Sequence, residues 1–391
     1  MTGRQTEVTG AGAGPRGSAD EATGALGPNF VSPAWRPTRS TSPREGDYMT
    51  EQMLDPMQAG DVHEQMRAMA MSYWVSQIVR AVVDLSLADH LTGEPLTAAE
   101  VAEREGSAPN STFRLMRACV AMGLLSADAD GRFSGTALLA TLRTDAPNSM
   151  RDLALTVTGP AHWLPWSQFS TSVRSGRSQT AAVLGMEFFD YLEQHPPQAR
   201  EFTAAMGTLT SQWTANAAKA IDTTDISLAV DVGGATGSLL HLLQEANPML
   251  RGIVFDRPNI VGYATDRIAR KGLTARTEVV GGDFFESVPS ADLYLLKFIL
   301  HDWDDQRAIK ILQRCREAMT PGARIAIVEM VVGKLSNPGV AALMDLNMLA
   351  VLPGQERSLA EYDALLAAAG LRRTAVYTTS SPQTVIEAVA T

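Results

Sequence analysis

The chain of 391 residues is 45% hydrophobic and 19% charged, enough apolar material at this length for more than one core. Its formal net charge of -10 argues against nucleic acid as a partner, because proteins that bind phosphate backbones carry a basic face. Two widely separated cysteines, Cys119 and Cys315, speak against a disulfide framework or a metal site and fit a reducing cytoplasm; no apolar run approaches the roughly 18 residues of a membrane span, and the first residues lack the apolar stretch of a secretory signal.

Residues 1–48 are rich in Gly, Pro, Ser, Thr and Arg without helical or strand periodicity. Such a segment buries too little apolar surface to offset its ordering entropy, so it reads as a disordered tail. Met49 and Met53 are alternative starts. From Val62 to Leu87, Met66, Met69, Tyr73, Trp74, Ile78, Val82 and Leu85 recur at three-to-four spacing and predict one helix. Thr97 with Glu100 three residues on reads as a capping box opening a short helix. Asn110 to Met122 reads as a second helix, and Leu124 to Ser134 as a hairpin turning at Asp130-Gly131.

Helix, turn, helix and hairpin make the outline of a winged helix over 49–150. Arg114 and Arg117 on its candidate recognition helix are outweighed by Glu100, Glu103, Glu105, Asp128 and Asp130. A dimerisation module fits better than a DNA reader.

Residues 151–225 read as helical and carry Trp163, Trp166, Phe169, Phe188, Phe189, Tyr191, Phe202 and Trp213. Rings at helical spacing are usually core, but here they could also line a pocket for a flat ligand. From Leu228 strands and helices alternate: strands at 228–232, 252–255, 277–280, 293–296 and 325–328, helices at 238–245, 260–269 and 304–319. The alternation predicts an α/β, doubly wound parallel sheet. Thr374–Tyr377 and Thr384–Val389 predict an antiparallel edge. The domain layout is thus a tail (1–48), a winged-helix module (49–150) and a sheet domain (151–391) whose first part, 151–225, is a helical linker.

Three strand ends carry chemistry. Asp231–Gly237 (DVGGATG) is a glycine turn between strand and helix, where the backbone can approach a ligand closely. Asp256 ends the next strand about 20 residues on, the place of an acid that accepts from ribose hydroxyls. Asp283 and Phe284, in Gly281–Phe285 (GGDFF), end the third strand, where an adenine amino group and base face could be met. Taken alone these features suit NAD as well as other nucleotides. The fourth strand runs into Leu296–Asp305 (LKFILHDWDD). Lys297 interrupts its apolar run, and His301 can take a proton near neutral pH.

The combination DVGGATG, FDRP, GGDFF, LKFILHDWDD and IVEM resembles the S-adenosyl-L-methionine-dependent O-methyltransferase family, which includes plant phenylpropanoid and flavonoid enzymes and bacterial natural-product enzymes. The resemblance runs from about residue 60 to the ending PGQERSLAEYDALLAAAGL. It implies that Gly233 contacts the methionine part of the cofactor, Asp256 the ribose, Asp283 and Phe284 the adenine, and that Lys297 lies near it. It implies His301 as general base, with Glu329 and Glu356 as the acids flanking it and Glu329 orienting the imidazole. It also implies a homodimer, a small aromatic acceptor, and a winged-helix dimerisation domain before a Rossmann-like sheet. Trp163, Phe189, Met206, Met344, Asn347 and Met348 are candidate acceptor contacts by position. Two residues depart from the pattern: Ala235 stands where the family usually has glycine, and Arg257 where plant members usually have leucine. Relatives that keep the cofactor without methylating, a cofactor-responsive regulator and an NAD dehydrogenase are the rival readings.

Overall fold

A computed structural model describes residues 61–391; the expected tail and alternative starts lie outside the described residues. The predicted helix Val62 to Leu87 is broken. Val62–Met71 and Tyr73–Asp84 are separate helices, because the Ser72 hydroxyl bonds back to the Met69 carbonyl at 2.8 Å and competes with the helical ladder. A short helix, Leu87–His90, follows. Ala98–Glu105 opens on the Thr97–Glu100 capping box and stops at Gly106, whose φ of 62° only glycine adopts without strain. Pro109–Ala121 starts on a proline, which has no amide hydrogen to leave unpaired there.

Strands β1 (Leu125–Ala127) and β2 (Phe133–Gly135) form the hairpin. Leu96 bridges Phe133 and widens this wing. Val82, Leu87, Val101, Met116, Leu125 and Phe133 fill a core of their own. Outside it, Val62, Met66, Met69 and Tyr73 are all exposed and recur at helical spacing.

The second part is a seven-stranded sheet ordered β5-β4-β3-β6-β7-β9-β8. Its strands are β3 (Leu228–Val232), β4 (Arg251–Asp256), β5 (Thr277–Gly281), β6 (Ala291–Lys297), β7 (Met319–Met330), β8 (Leu371–Thr378) and β9 (Gln383–Ala390). β3 to β7 pair in parallel; β9 pairs antiparallel with β7 and β8. β3, β4, β6 and the second half of β7 are apolar runs because helices cover both faces, with Val230, Tyr294, Leu296 and Ile327 in one layer and Val254, Leu293, Leu295 and Val328 in the other. Of the expected edge pair only β8 is an edge, since β9 is inserted beside β7 with Val385 and Ile386 buried.

The chain passes from β3 outward through β4 to β5 and then returns to β6 on the other side of β3. Strand order reverses between β3 and β6, and the crevice at the carboxyl ends of such neighbours is where ligands of open α/β sheets bind. Helices from Arg151–Thr158 to Pro196–Ala218 and the later helix Ala341–Val351 supply the remaining side chains.

Candidate active site

The glycine turn and the strand beside it are tied by backbone bonds. Gly233 donates to the Phe255 carbonyl at 2.8 Å, and Gly282 to the Asp256 carbonyl at 2.9 Å. Gly233 has φ 66°, and a Cβ there would come within 2.5 Å of Ile299 Cδ1 and 3.7 Å of Phe284 Cε1. The first, third and fourth strand ends therefore meet at that glycine. Asp256 accepts from the Ala235 amide at 2.8 Å through one oxygen and from the Arg257 amide at 2.7 Å through the other. Burial raises its pKa against those two bonds, and each oxygen keeps lone pairs for further donors.

Ala235 itself has φ 48°, a left-handed conformation that costs an L-residue about 1–2 kcal/mol. Ala235→Gly is expected to stabilise the chain by about 1 kcal/mol in urea unfolding without touching the amide bond to Asp256. An unchanged or lower midpoint would mean that the methyl carries no strain.

Asp283 is exposed and turns one oxygen onto the Phe285 amide at 2.8 Å. Phe284 packs edge-on to Phe285 at 4.8 Å between centroids and lies 6.1 Å from Trp303. Lys297 ends β6, its ammonium 5.4 Å from the Phe298 ring. Burial lowers its pKa, while Asp231 and Glu329 pull the other way. Burial also pushes the Asp231 carboxyl up to about 7 despite Lys297. The ends of β3, β6 and β7 thus share one buried run of charge.

After Lys297 the chain bends sharply. Phe298 has φ 54°, and Leu300–Asp302 forms a single tight turn. One oxygen of Glu329, at the end of β7, accepts from the amides of Ile299, Leu300 and His301 at 3.0, 2.9 and 3.4 Å. This fully buried carboxylate caps the turn. The His301 imidazole stacks on the Phe298 ring at 4.9 Å. Its Nδ1 lies 2.7 Å from Glu356 Oε1 and 3.8 Å from Glu329 Oε2, and its Nε2 lies 3.3 Å from Asp302 Oδ1. Glu356, not Glu329, makes the direct contact with the ring.

Burial disfavours the imidazolium, but Glu329, Asp302 and Glu356 override it and push the His301 pKa up to about 10. Burial likewise raises Glu329 to about 7 and Asp302 to about 6, against the attraction of the ring. Ligand-type atoms of His301, Glu329 and Glu356 lie within 4.8 Å of one another, with the Glu356 hydrogen bond occupying Nδ1.

The rings come to this corner from the helical segment. Phe189 stacks on Trp303 at 5.8 Å and packs with Phe188 and Phe202. Met344 and Met348, on Ala341–Val351, belong to the same cluster. Asn347 accepts from Trp166 Nε1 at 3.0 Å on its outer side. Half-buried Trp163 and Met206 are not members of the cluster. Buried His162 packs against these rings, edge-on to Phe188 at 5.3 Å, and burial drops its pKa to about 4, so the ring is neutral.

The sequence reading passed over His162, Asp302, Trp303 and Arg357. Asp302 and Trp303 stand inside the motif that carries His301. No local pattern singled out Arg357, which stands among polar neighbours Gln355, Glu356 and Ser358.

Two family models match the chain: an O-methyltransferase dimerisation domain over residues 68–145 and an O-methyltransferase domain over 166–372. The phenazine O-methyltransferase PhzM of Lysobacter antibioticus is 34% identical over 321 residues, 82% of this chain and 94% of that protein. The solved mitomycin 7-O-methyltransferase MmcR superposes with a TM-score of 0.80 at 31% identity, covering 84% of this chain and 98% of that one. An O-methyltransferase from neocarzinostatin biosynthesis, solved with S-adenosylmethionine and 2-hydroxy-5-methyl naphthoic acid, has a TM-score of 0.72 at 34% identity, covering 81% and 96%. With the sheet, the glycine turn and the His301 turn arranged as described, the chain belongs to the S-adenosylmethionine-dependent O-methyltransferases that carry a dimerisation domain.

Proposed function

We propose that this enzyme methylates a phenolic hydroxyl of a small aromatic natural product, with His301 as general base. The observation that carries the reading is the 2.7 Å contact between His301 Nδ1 and Glu356, on a turn set beside the glycine crevice. The crevice suits the cofactor: its floor at Gly233 has no room for a side chain, and Asp256 keeps acceptor capacity for ribose hydroxyls. When bound, S-adenosylmethionine supplies an electrophilic methyl on a sulfonium. Gly233 would admit the methionine part, Asp283 and Phe284 would meet the adenine, and Lys297 would face the cofactor from the end of β6.

A phenol has a pKa near 10, so little phenolate exists at neutral pH. In the neutral form of His301, the minor one below its pKa of about 10, Nε2 removes the proton as attack begins, while Nδ1–H donates to Glu356. The new imidazolium is stabilised by Glu356, Glu329 and Asp302, and its tautomer is held as the third member holds it in other triads. Glu329 acts both through its charge on the ring and through the turn it caps. Phe189, Met344 and Met348, which share one apolar cluster, would line the acceptor side. The naphthoic acid bound to the neocarzinostatin relative supports an aromatic acceptor.

The winged-helix module (49–150) serves as the dimer interface and 151–391 as the catalytic domain. The dimerisation-domain match and the exposed stripe Val62, Met66, Met69 and Tyr73 support a homodimer. Two buried free thiols support a cytoplasmic setting, and no helix among the described residues is long and apolar enough to cross a membrane.

Incubation with S-adenosylmethionine and a panel of hydroxylated phenazines, naphthoates and benzoates tests the reading. The expected products are a methyl ether and equimolar S-adenosylhomocysteine, measured by mass spectrometry. Cofactor binding with no S-adenosylhomocysteine from any acceptor would favour a non-methylating relative.

A further inference from the structure

Arg357 is fully buried, among the largest side chains to be so within the described residues, and neither composition nor the proposed chemistry accounts for it. Its guanidinium does not face the crevice. Nη1 donates to the Leu300 carbonyl at 2.9 Å and to the Gln355 carbonyl at 3.4 Å. Nη2 donates to the Trp303 carbonyl at 2.7 Å and to Asp305 Oδ1 at 2.9 Å, and Nε donates to the same carboxylate oxygen at 3.0 Å. A planar fork with five donors can satisfy acceptors spread in this way, and a lysine ammonium cannot.

Those bonds join three pieces of the site. Leu300 and Trp303 flank His301 and Asp302, so Arg357 grips the carbonyl side of the turn whose amide side Glu329 holds. The Arg357 carbonyl accepts from the Val332 amide at 3.0 Å, and Val331 bridges Arg357 just beyond Glu329 and the end of β7. Between these anchors lies Glu356, its own amide bonded to Asp345 at 3.0 Å. Gly354 passes so close to the turn that a Cβ there would lie 1.8 Å from the His301 carbonyl oxygen. The strap 354–357 is pressed onto the turn, and Arg357 fastens it.

We infer that Arg357 is a positioning residue that fixes the Glu356 carboxylate against His301, and that it serves methyl transfer without touching acceptor or cofactor. The inference rests on His301 and Glu356 working as proposed above. A loosened strap moves the carboxylate while leaving the crevice intact, and a shift of about 1 Å at a reacting group can cost roughly a hundredfold in rate.

The test is Arg357→Lys, which keeps the charge and so isolates geometry. It is expected to lower kcat by about ten- to a hundredfold, with S-adenosylmethionine binding and acceptor KM unchanged. The limb of the kcat/KM profile set by His301 should move to lower pH, because a withdrawn Glu356 stabilises the imidazolium less; a smaller folded fraction would scale the profile without moving it. In a Glu356→Gln background Arg357→Lys should cost nothing further. A folded variant with wild-type kcat, an unmoved limb, or losses that multiply with Glu356→Gln would overturn the inference.

If Arg357→Lys does not fold, Asp305→Asn replaces it. The Asp305 side chain is 60% exposed, so the fold should tolerate the change. Its loss of kcat should also vanish in the Glu356→Gln background, and a wild-type kcat in Asp305→Asn would count against the inference. Absence of turnover in the unmodified enzyme would instead point to failure of the proposed reaction itself.

Discussion

His301→Gln is expected to lower kcat for methyl transfer by about two to four powers of ten, the usual worth of a positioned general base, while S-adenosylmethionine still binds. Glutamine keeps polar atoms among the acids but cannot accept the acceptor's proton and carry the charge. His301→Ala should be as inactive and less stable, since it leaves Glu356, Glu329 and Asp302 crowded without the cation that separates them. Full activity in the folded glutamine variant would remove His301 from the mechanism.

The same cluster sets a pH dependence. The folded pKa of His301, about 10, lies above its ordinary 6.5. A base raised in this way binds its proton more tightly in the folded than in the unfolded chain. Its stabilisation is fully present below about pH 6.5 and is lost as pH rises toward about 10. Urea midpoints should therefore fall from about pH 7 to about pH 9, and the slope should flatten in His301→Gln. Over the same range kcat/KM of the unmodified enzyme should climb as the imidazolium gives up its proton. A midpoint that rises with pH, or a slope that survives in the variant, would contradict the raised pKa.

Glu329→Ala is expected to destabilise the chain by about 3–5 kcal/mol, because it orphans the amides of Ile299, Leu300 and His301 in a dry interior. Glu329→Gln keeps one acceptor oxygen and should cost less than half of that. Activity should follow the turn: the alanine variant loses turnover even where it stays folded, and the glutamine variant retains part of it. Equal urea midpoints for unmodified and alanine chains would show that the turn does not depend on this carboxylate.

Much of the scaffold is a local property of the chain. Strand β3, the glycine turn after it, the Thr97–Glu100 box and the hairpin turn at Gly131 are all set by neighbours a few residues apart. Side-chain periodicity and backbone preference report on such neighbours directly. The helix expected over 62–87 failed on a similarly local event, the Ser72 hydroxyl bonding back to Met69, because serine is tolerated within helices and its competing bond depends on the rotamer it adopts.

The amino-acid sequence by itself determined the α/β alternation, the place of the crevice at the strand ends and the position of His301 at the fourth of them; the two acids expected to flank it came from the family resemblance. Only the tertiary structure decided which acid touches the imidazole. Glu356 lies 55 residues from His301 along the chain, and its reach depends on a strap clamped by Arg357. It also decided that Glu329 caps a turn and that β9 enters between β7 and β8. Those outcomes follow from packing between distant segments, where burial and hydrogen-bond satisfaction select one arrangement that no local pattern encodes.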